Sequence, residues 1–327
     1  MTKRQPLPRP LALDPFTVRD AIATGVGIGR LRGRDLERPF HGVRVDPASV
    51  EEVARFGSFP TARAAEEFAT LIGHCRAYAP LLRSGQFFSH ETAARLLKCP
   101  LPARFSTDDP LHISVFAPGR APRSRGVAGH QATAGTIVDR FGLPISDAAT
   151  TWLSLGASLD IDDLVAAGDH LVLDPAVLDP HDIRPYVSIA ELEQRLGRFS
   201  AAGARRAQKA VGQVRQGSES RAESLLRLVL VRAGLPEPEL NVDIYDSAGR
   251  WLGRADQYFR EWRVISEYDG DEHRTNSRQY DRDITRIEEF ARAGNTVVRI
   301  RKQQLFVHPE LAVERVSRAL RDSGWLG

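Results

Sequence analysis

Residues 264–274, VISEYDGDEHR, run from a β-branched apolar start into four acids within positions 267–272, and then into His273. Residues two apart on a strand point to the same face, so Glu267 and Asp269 share a face with Ile265. Asp256 lies eleven residues before Glu267, and a short hairpin through the segment REWR would fold it back beside that acid. Carboxylates converging at a strand end repel one another unless a cation sits among them. Oxygen ligands with water and phosphate suit Mg²⁺ or Mn²⁺. Such an ion activates a water and stabilises the charge growing on a scissile phosphate. Asp256, Glu267 and Asp269 are therefore the candidate metal ligands, with Mg²⁺ or Mn²⁺ as the expected ion. Glu223, on a helix before these strands, would add a carboxylate from outside the sheet. His273 suits proton transfer because imidazole titrates near neutrality, and Gly270 permits a sharp bend between it and the acids. The alternative is that the acids are simply solvated, as expected of Asp271 and Glu272, and that Glu223 is an exposed acid in a helix's first turn.

The elements that must position these residues follow from periodicity. SRAESLLRLVLVRAGL is an amphipathic helix ending at Gly234, and ELNVDIYDSAG and GRADQYFREW are strand-like runs around a turn at 247–249. RVISEYDG is the next strand, SRQYDRDITRIEEFARAG a helix closed by Gly294, TVVRIRKQQL a strand and HPELAVERVSRALRDSG a final helix. The order α-β-β-β-α-β-α over 219–327 predicts a mixed domain of ordinary size.

Upstream, FTVRDAIATG and IGRLRGRDLE read as two short helices, the second rich in arginine, before a strand in PFHGVRV. Helix, glycine turn, basic helix and strand are the ingredients of a winged helix-turn-helix over residues 1–58. Residues 60–98 read as helical, with Ser89 as an N-cap, LHISVFAP and the GHQ region as strands, and DAATTWLSLGASLDIDDLVAAGDHLV as two helices. These form a middle α/β region over 59–200. Residues 195–215 hold six basic residues and no acid, and 201–218 is expected to be a basic linker, either solvated or facing phosphate.

A chain of 327 residues is too long for one ordinary core, and 42% hydrophobic with 27% charged residues fits a globular α/β multi-domain protein. No apolar run approaches the roughly 18 residues of a membrane span. The basic, proline-broken N-terminus lacks a signal-peptide core, and two cysteines are too few for a disulfide framework. The expected setting is a reducing cytoplasm. A net charge of +3 does not by itself announce nucleic acid.

GRADQYF, RVISEYDGDEHR, YDRDITRIEEFARAG and NTVVRIRKQQL, in that order, resemble the endonuclease-like domains related to very-short-patch-repair nucleases within the PD-(D/E)XK superfamily. The resemblance covers roughly 219–323. It implies a restriction-endonuclease-like fold, with Asp256, Glu267, Asp269, Gly270, His273, Asp281, Arg282 and Arg299 at the motif positions and DNA contacts at Arg282 and Arg299. The superfamily's lysine, two residues after the acid, is replaced here by Asp269. The first two-thirds resembles, more loosely, AbiEi-type antitoxins, which bind promoter DNA and oppose a toxin; this implies DNA contacts at Arg30, Arg32 and Arg34. The expectation is a DNA-binding protein that hydrolyses phosphodiester bonds with a metal ion. The alternative is a transcriptional regulator or antitoxin, with a cognate toxin as partner, whose nuclease-like domain only binds.

Overall fold

The computed structural model describes residues 6–47, 56–106, 108–270 and 277–327, with the side chains of 277–284 outside the described set. Among these residues the chain is mixed α/β, with sheets of two, four and five strands. Its contacts divide it into two compact units. One takes in residues 1–158, 177–183 and 194–204; the other takes in 159–176, 184–193 and 205–327.

The first unit begins with α1 (Arg9–Leu13), β1 (Phe16–Thr17), α2 (Val18–Ala23), α3 (Ile28–Leu31) and β2 (Val43–Arg44). Thr17 caps α2, its hydroxyl accepting from the Asp20 amide at 3.0 Å. Gly25, at φ +87°, turns the chain after that helix. β1 and β2 pair antiparallel, and Arg44 donates to the Leu31 carbonyl at 2.8 Å, satisfying the end of α3. Phe16, Ala21, Leu31 and Leu36 make a small core beneath these pieces. The chain continues through α4 (Ala62–Tyr78), β3 (Gln86–Phe88), α5 (His90–Leu96), β4 (Leu111–Phe116), β5 (Val127–Ala132), β6 (Ile137–Arg140), β7 (Leu143–Ser146) and α6 (Ala148–Leu155). The sheet order is β5-β4-β3-β7-β6, with β4–β5 and β3–β7 parallel.

Strand β3 interrupts the stretch expected to be helical. Phe87 and Phe88 are fully buried in the middle of this sheet, so their strand shows no apolar-polar alternation to betray it. Ser89 does stand at the N-cap of α5, but its hydroxyl makes no capping bond; it accepts from Ser114 at 2.7 Å and meets His90 instead.

Next come α7 (Ile161–Val172), α8 (Ile189–Leu196) and α9 (Ala204–Val211). Helix α9 lies inside the stretch expected as a linker, and its Ala207, Ala210 and Val211 are buried. The remainder is α10 (Arg221–Arg232), β8 (Glu239–Tyr245), β9 (Trp251–Phe259), β10 (Val264–Asp269), α11 (Ser277–Arg292), β11 (Thr296–Arg301), α12 (Lys302–Phe306) and α13 (Pro309–Asp322). The strand expected to run through KQQL stops at Arg301, where the Arg301 amide donates to Gln304 at 3.0 Å and starts α12.

The four-stranded sheet has the order β11-β10-β9-β8, antiparallel except for the parallel β10–β11 pair. One face packs Phe259, Val264, Val298 and Ile300 against Leu226, Leu230, Val316 and Leu320 of α10 and α13. The other packs Tyr258 and Ile265 against Phe290 of α11. Helix α7 docks on α10 through charge as well as apolar contact. Arg221 pairs with Asp163 at 2.6 Å and Arg227 with Asp169 at 2.9 Å, the latter pair fully buried. Burial lifts the Asp169 pKa even beside Arg227, so each partner is needed once the other is buried.

Candidate active site

The hairpin from β9 to β10 turns through a short 3₁₀ segment at 260–262, and Arg263 takes the left-handed conformation at φ +54°. Its register sets Phe259 opposite Val264, Tyr258 opposite Ile265 and Gln257 opposite Ser266. The ladder ends there, so Asp256 and Glu267 stand at the first rung beyond it. The Tyr268 amide donates to Asp256 Oδ2 at 3.0 Å. The sequence expectation that Asp256 folds back beside Glu267 therefore matches this geometry.

Glu223 reaches the same place from α10. Gln257, fully buried, donates to the Glu223 carbonyl at 2.9 Å and accepts from the Ser266 hydroxyl at 3.0 Å, tying the helix to both strands. The Glu223 carboxylate accepts from the Glu219 amide at 2.9 Å and from Asn241 on β8 at 3.0 Å. Rather than being an exposed first-turn acid, it faces Asp256. Burial and the Asp256 charge push the Glu223 pKa up to about 7. Burial and the Glu267 charge push Asp256 up to about 7, against the pull of the Tyr268 amide and Arg286. Three acids from a helix and two strands thus share one poorly solvated spot.

Glu267 and Asp269 also have counter-charges. Arg286 of α11 grips Glu267 with two bonds, at 3.0 and 3.2 Å, and also donates to the Arg254 carbonyl at 2.6 Å. Arg299, opposite Glu267 on β11, pairs with Asp269 at 3.0 Å. Asp269 is thus drawn to Arg299, and the acids that press on one another are Glu223, Asp256 and Glu267. The position two beyond Glu267 brings no ammonium to the cluster. His273 lies outside the described residues, as do Asp271 and Glu272; Asp281 and Arg282 lie on α11 with side chains outside the described set.

Among the expected DNA-contacting arginines, Arg30 is half-buried and paired with Asp35 at 2.9 Å. Arg32 and Arg34 are exposed beyond α3.

One further cluster carries no sequence signature. His90, His112 and His130 bring ring nitrogens within 4.8 Å of one another in the first unit, and among the described residues they are a group that could hold a metal ion. Separated by 22 and 18 residues, they form no motif; only the parallel β4–β5 pairing and the start of α5 gather them. Compared with protein-family models, curated proteins and solved structures, the chain matches none.

Proposed function

We propose that this chain is a DNA-binding protein whose residues 219–327 form a metal-dependent, endonuclease-like domain hydrolysing phosphodiester bonds. The observation that carries the reading is the convergence of Glu223, Asp256 and Glu267 at the first unpaired rung of a mixed sheet flanked by helices. Two of these carboxyls are pushed up to about 7 by burial and by the neighbouring carboxylate's charge, the kind of crowding found at functional sites. The helix and strand order resembles that of the very-short-patch-repair nucleases, with Asp256 and Glu267 at motif positions of that resemblance. In this reading Asp256 and Glu267 would hold Mg²⁺ or Mn²⁺, which when bound supplies the charge that activates water. Glu223 orients water or a second oxygen ligand, and Asp269 with Arg299 lines the approach of the phosphate. Arg286 holds Glu267 in the rotamer that faces Asp256. Residues 6–47 supply a winged-helix-like binding region in which Arg32 and Arg34 meet backbone phosphate.

The test is supercoiled plasmid incubated with purified protein and Mg²⁺ or Mn²⁺. Asp256→Asn and Glu267→Gln should each lower nicking by about 100-fold or more, the effect of losing a few kcal/mol of transition-state stabilisation. Equal nicking by wild type and both variants sinks the reading.

A second reading rests on the Arg286–Glu267 and Arg299–Asp269 pairs. They already neutralise two of the acids, as suits a domain that binds without cutting. The chain would then be a transcriptional regulator or antitoxin, with a toxin as its partner. It predicts promoter binding in a mobility-shift assay with no cleavage in either metal, and loss of that binding when Arg32 and Arg34 are replaced.

A further inference from the structure

Three imidazoles and one carboxylate meet in the first unit with no role in the reading above. His90 opens α5, His112 lies on β4 and His130 lies on the edge strand β5. The His90 and His130 rings stack with centroids 3.8 Å apart, and His112 and His130 are stacked at 5.0 Å. His112 Nδ1 lies 3.0 Å from His130 Nε2 and also 3.0 Å from Glu91 Oε2. We infer that His90, His112 and His130 form a site for one divalent transition-metal ion of the zinc class, with Glu91, whose Oε2 lies beside the same His112 Nδ1, as the carboxylate that balances its charge.

The spacing fits. Zinc–imidazole bonds are about 2.0–2.1 Å, which sets tetrahedral ligand nitrogens about 3.3 Å apart. One pair already stands at 3.0 Å and all three ligand atoms lie within 4.8 Å of one another; sharing an ion requires the stacked rings to turn their nitrogens toward it. The His90 nitrogen not facing the ion has a partner of the kind that orients metal-ligating histidines. Ser89 Oγ, which accepts from Ser114 at 2.7 Å, lies 3.0 Å from His90 Nδ1 and so leaves Nε2 for the ion. The His112 amide donates to Thr92 Oγ1 at 2.8 Å, fixing the strand beside Glu91.

Two further features fit a metal site. Glu91 Oε2 is buried without a well-directed hydrogen bond, and among the described residues its ion-pair partner is His112. A buried carboxylate beside three imidazoles is a set of groups whose charge a divalent ion would balance. The second feature is the backbone of His90, held at φ +50°, a conformation costing an L-residue roughly 1 kcal/mol and here turning the ring onto His130.

Imidazole ligands select zinc, cobalt, nickel or copper over magnesium, so this ion differs from the one proposed at the acids. A cavity of about 290 Å³ reaches Glu91 and His112 and gives the ion an entry path. Three protein nitrogens leave a fourth position for water or a ligand.

The test uses the untagged full chain, stripped with chelator and titrated with Co²⁺ by absorption and Zn²⁺ by calorimetry. One ion per chain with tetrahedral Co²⁺ bands is the expected result. His112→Ala and His130→Gln should each weaken binding about 100-fold or more, and Glu91→Gln about 10-fold. The Asp256→Asn/Glu267→Gln double variant should bind as wild type does, which separates this site from the acids. X-ray absorption of the zinc-loaded wild type should show an imidazole shell, a readout independent of whether any variant folds. Absence of stoichiometric binding by the wild type, an oxygen-only shell, or unchanged affinity in folded histidine variants overturns the proposal.

Discussion

At the scale of single residues, the acids of the candidate active site make a pH prediction whose sign follows from their environment. Asp256 ordinarily titrates near 3.8 and Glu223 near 4.5, and both are pushed up to about 7 in the fold. Below pH 4 the folded and unfolded chains both hold these protons, so the groups contribute nothing. Between about pH 4 and 7 the unfolded chain releases protons that the folded chain keeps, so stability falls as pH rises and the loss is complete above about 7. The effect is on the order of a few kcal/mol for such displacements. Asp256→Asn should therefore raise the melting temperature at pH 8 and leave it nearly unchanged at pH 4; an equal change at both values contradicts the mutual repulsion. Mn²⁺ should stabilise the wild type more at pH 8 than at pH 5 and should do little for the variant. The Tyr268 amide, which donates to Asp256, gives a direct view of the same event. Its nitrogen-15 shift should titrate with a midpoint near 7 in the metal-free protein and should not move in Asp256→Asn.

At the scale of elements, the regular pieces of residues 219–327 were legible because each buries a periodic face. Leu226 and Leu230 recur four apart on α10, Val316 and Leu320 do so on α13, and β10 alternates between the two faces of its sheet. Gly294 closes α11 at φ +82°, as its place in the sequence suggests. The hairpin that sets Asp256 against Glu267 was legible for the same reason, since a loop that short leaves few registers. What stayed hidden depends on partners distant in sequence. Phe87 and Phe88 make a strand only because β4 and β7 flank them, and Gln304 starts a helix at a point where apolar pattern alone continues the strand. Arg286 gave no local sign that it would answer Glu267. Its placement depends on Gly253, at φ +148°, where a Cβ would lie 2.7 Å from Arg286 Cδ and 3.2 Å from Phe290 Cζ. Gly253→Ala should cost about 1–3 kcal/mol through strain and overpacking. Urea melts will measure that, and a loss of plasmid nicking beyond what the stability change explains would show that Arg286 positions Glu267.

At the scale of the whole molecule, the chain alternates between its two units, and the buried pairs of the second unit join distant stretches of sequence. Arg227→Met leaves Asp169 buried and uncompensated, and should destabilise the protein by about 3–5 kcal/mol in denaturant melts. DNA affinity, measured against salt, should lose about one unit of log–log slope for each of Arg32 and Arg34 replaced by alanine if each meets a phosphate. The sequence suggested a separable domain at 219–327, and no local pattern indicates that residues 159–176 and 184–193 belong with it, because the bond that matters spans 58 residues. Expressed alone, 219–327 should be poorly folded by circular dichroism, whereas 159–327 should melt cooperatively. The alternation also governs how this chain can be reused. A recombination event that carries 219–327 into another gene exports Arg221 and Arg227 without Asp163 and Asp169. The second unit is therefore not a portable cassette: to move, residues 205–327 must take the upstream helix along, together with the two short stretches assigned to the other unit that lie between them in sequence.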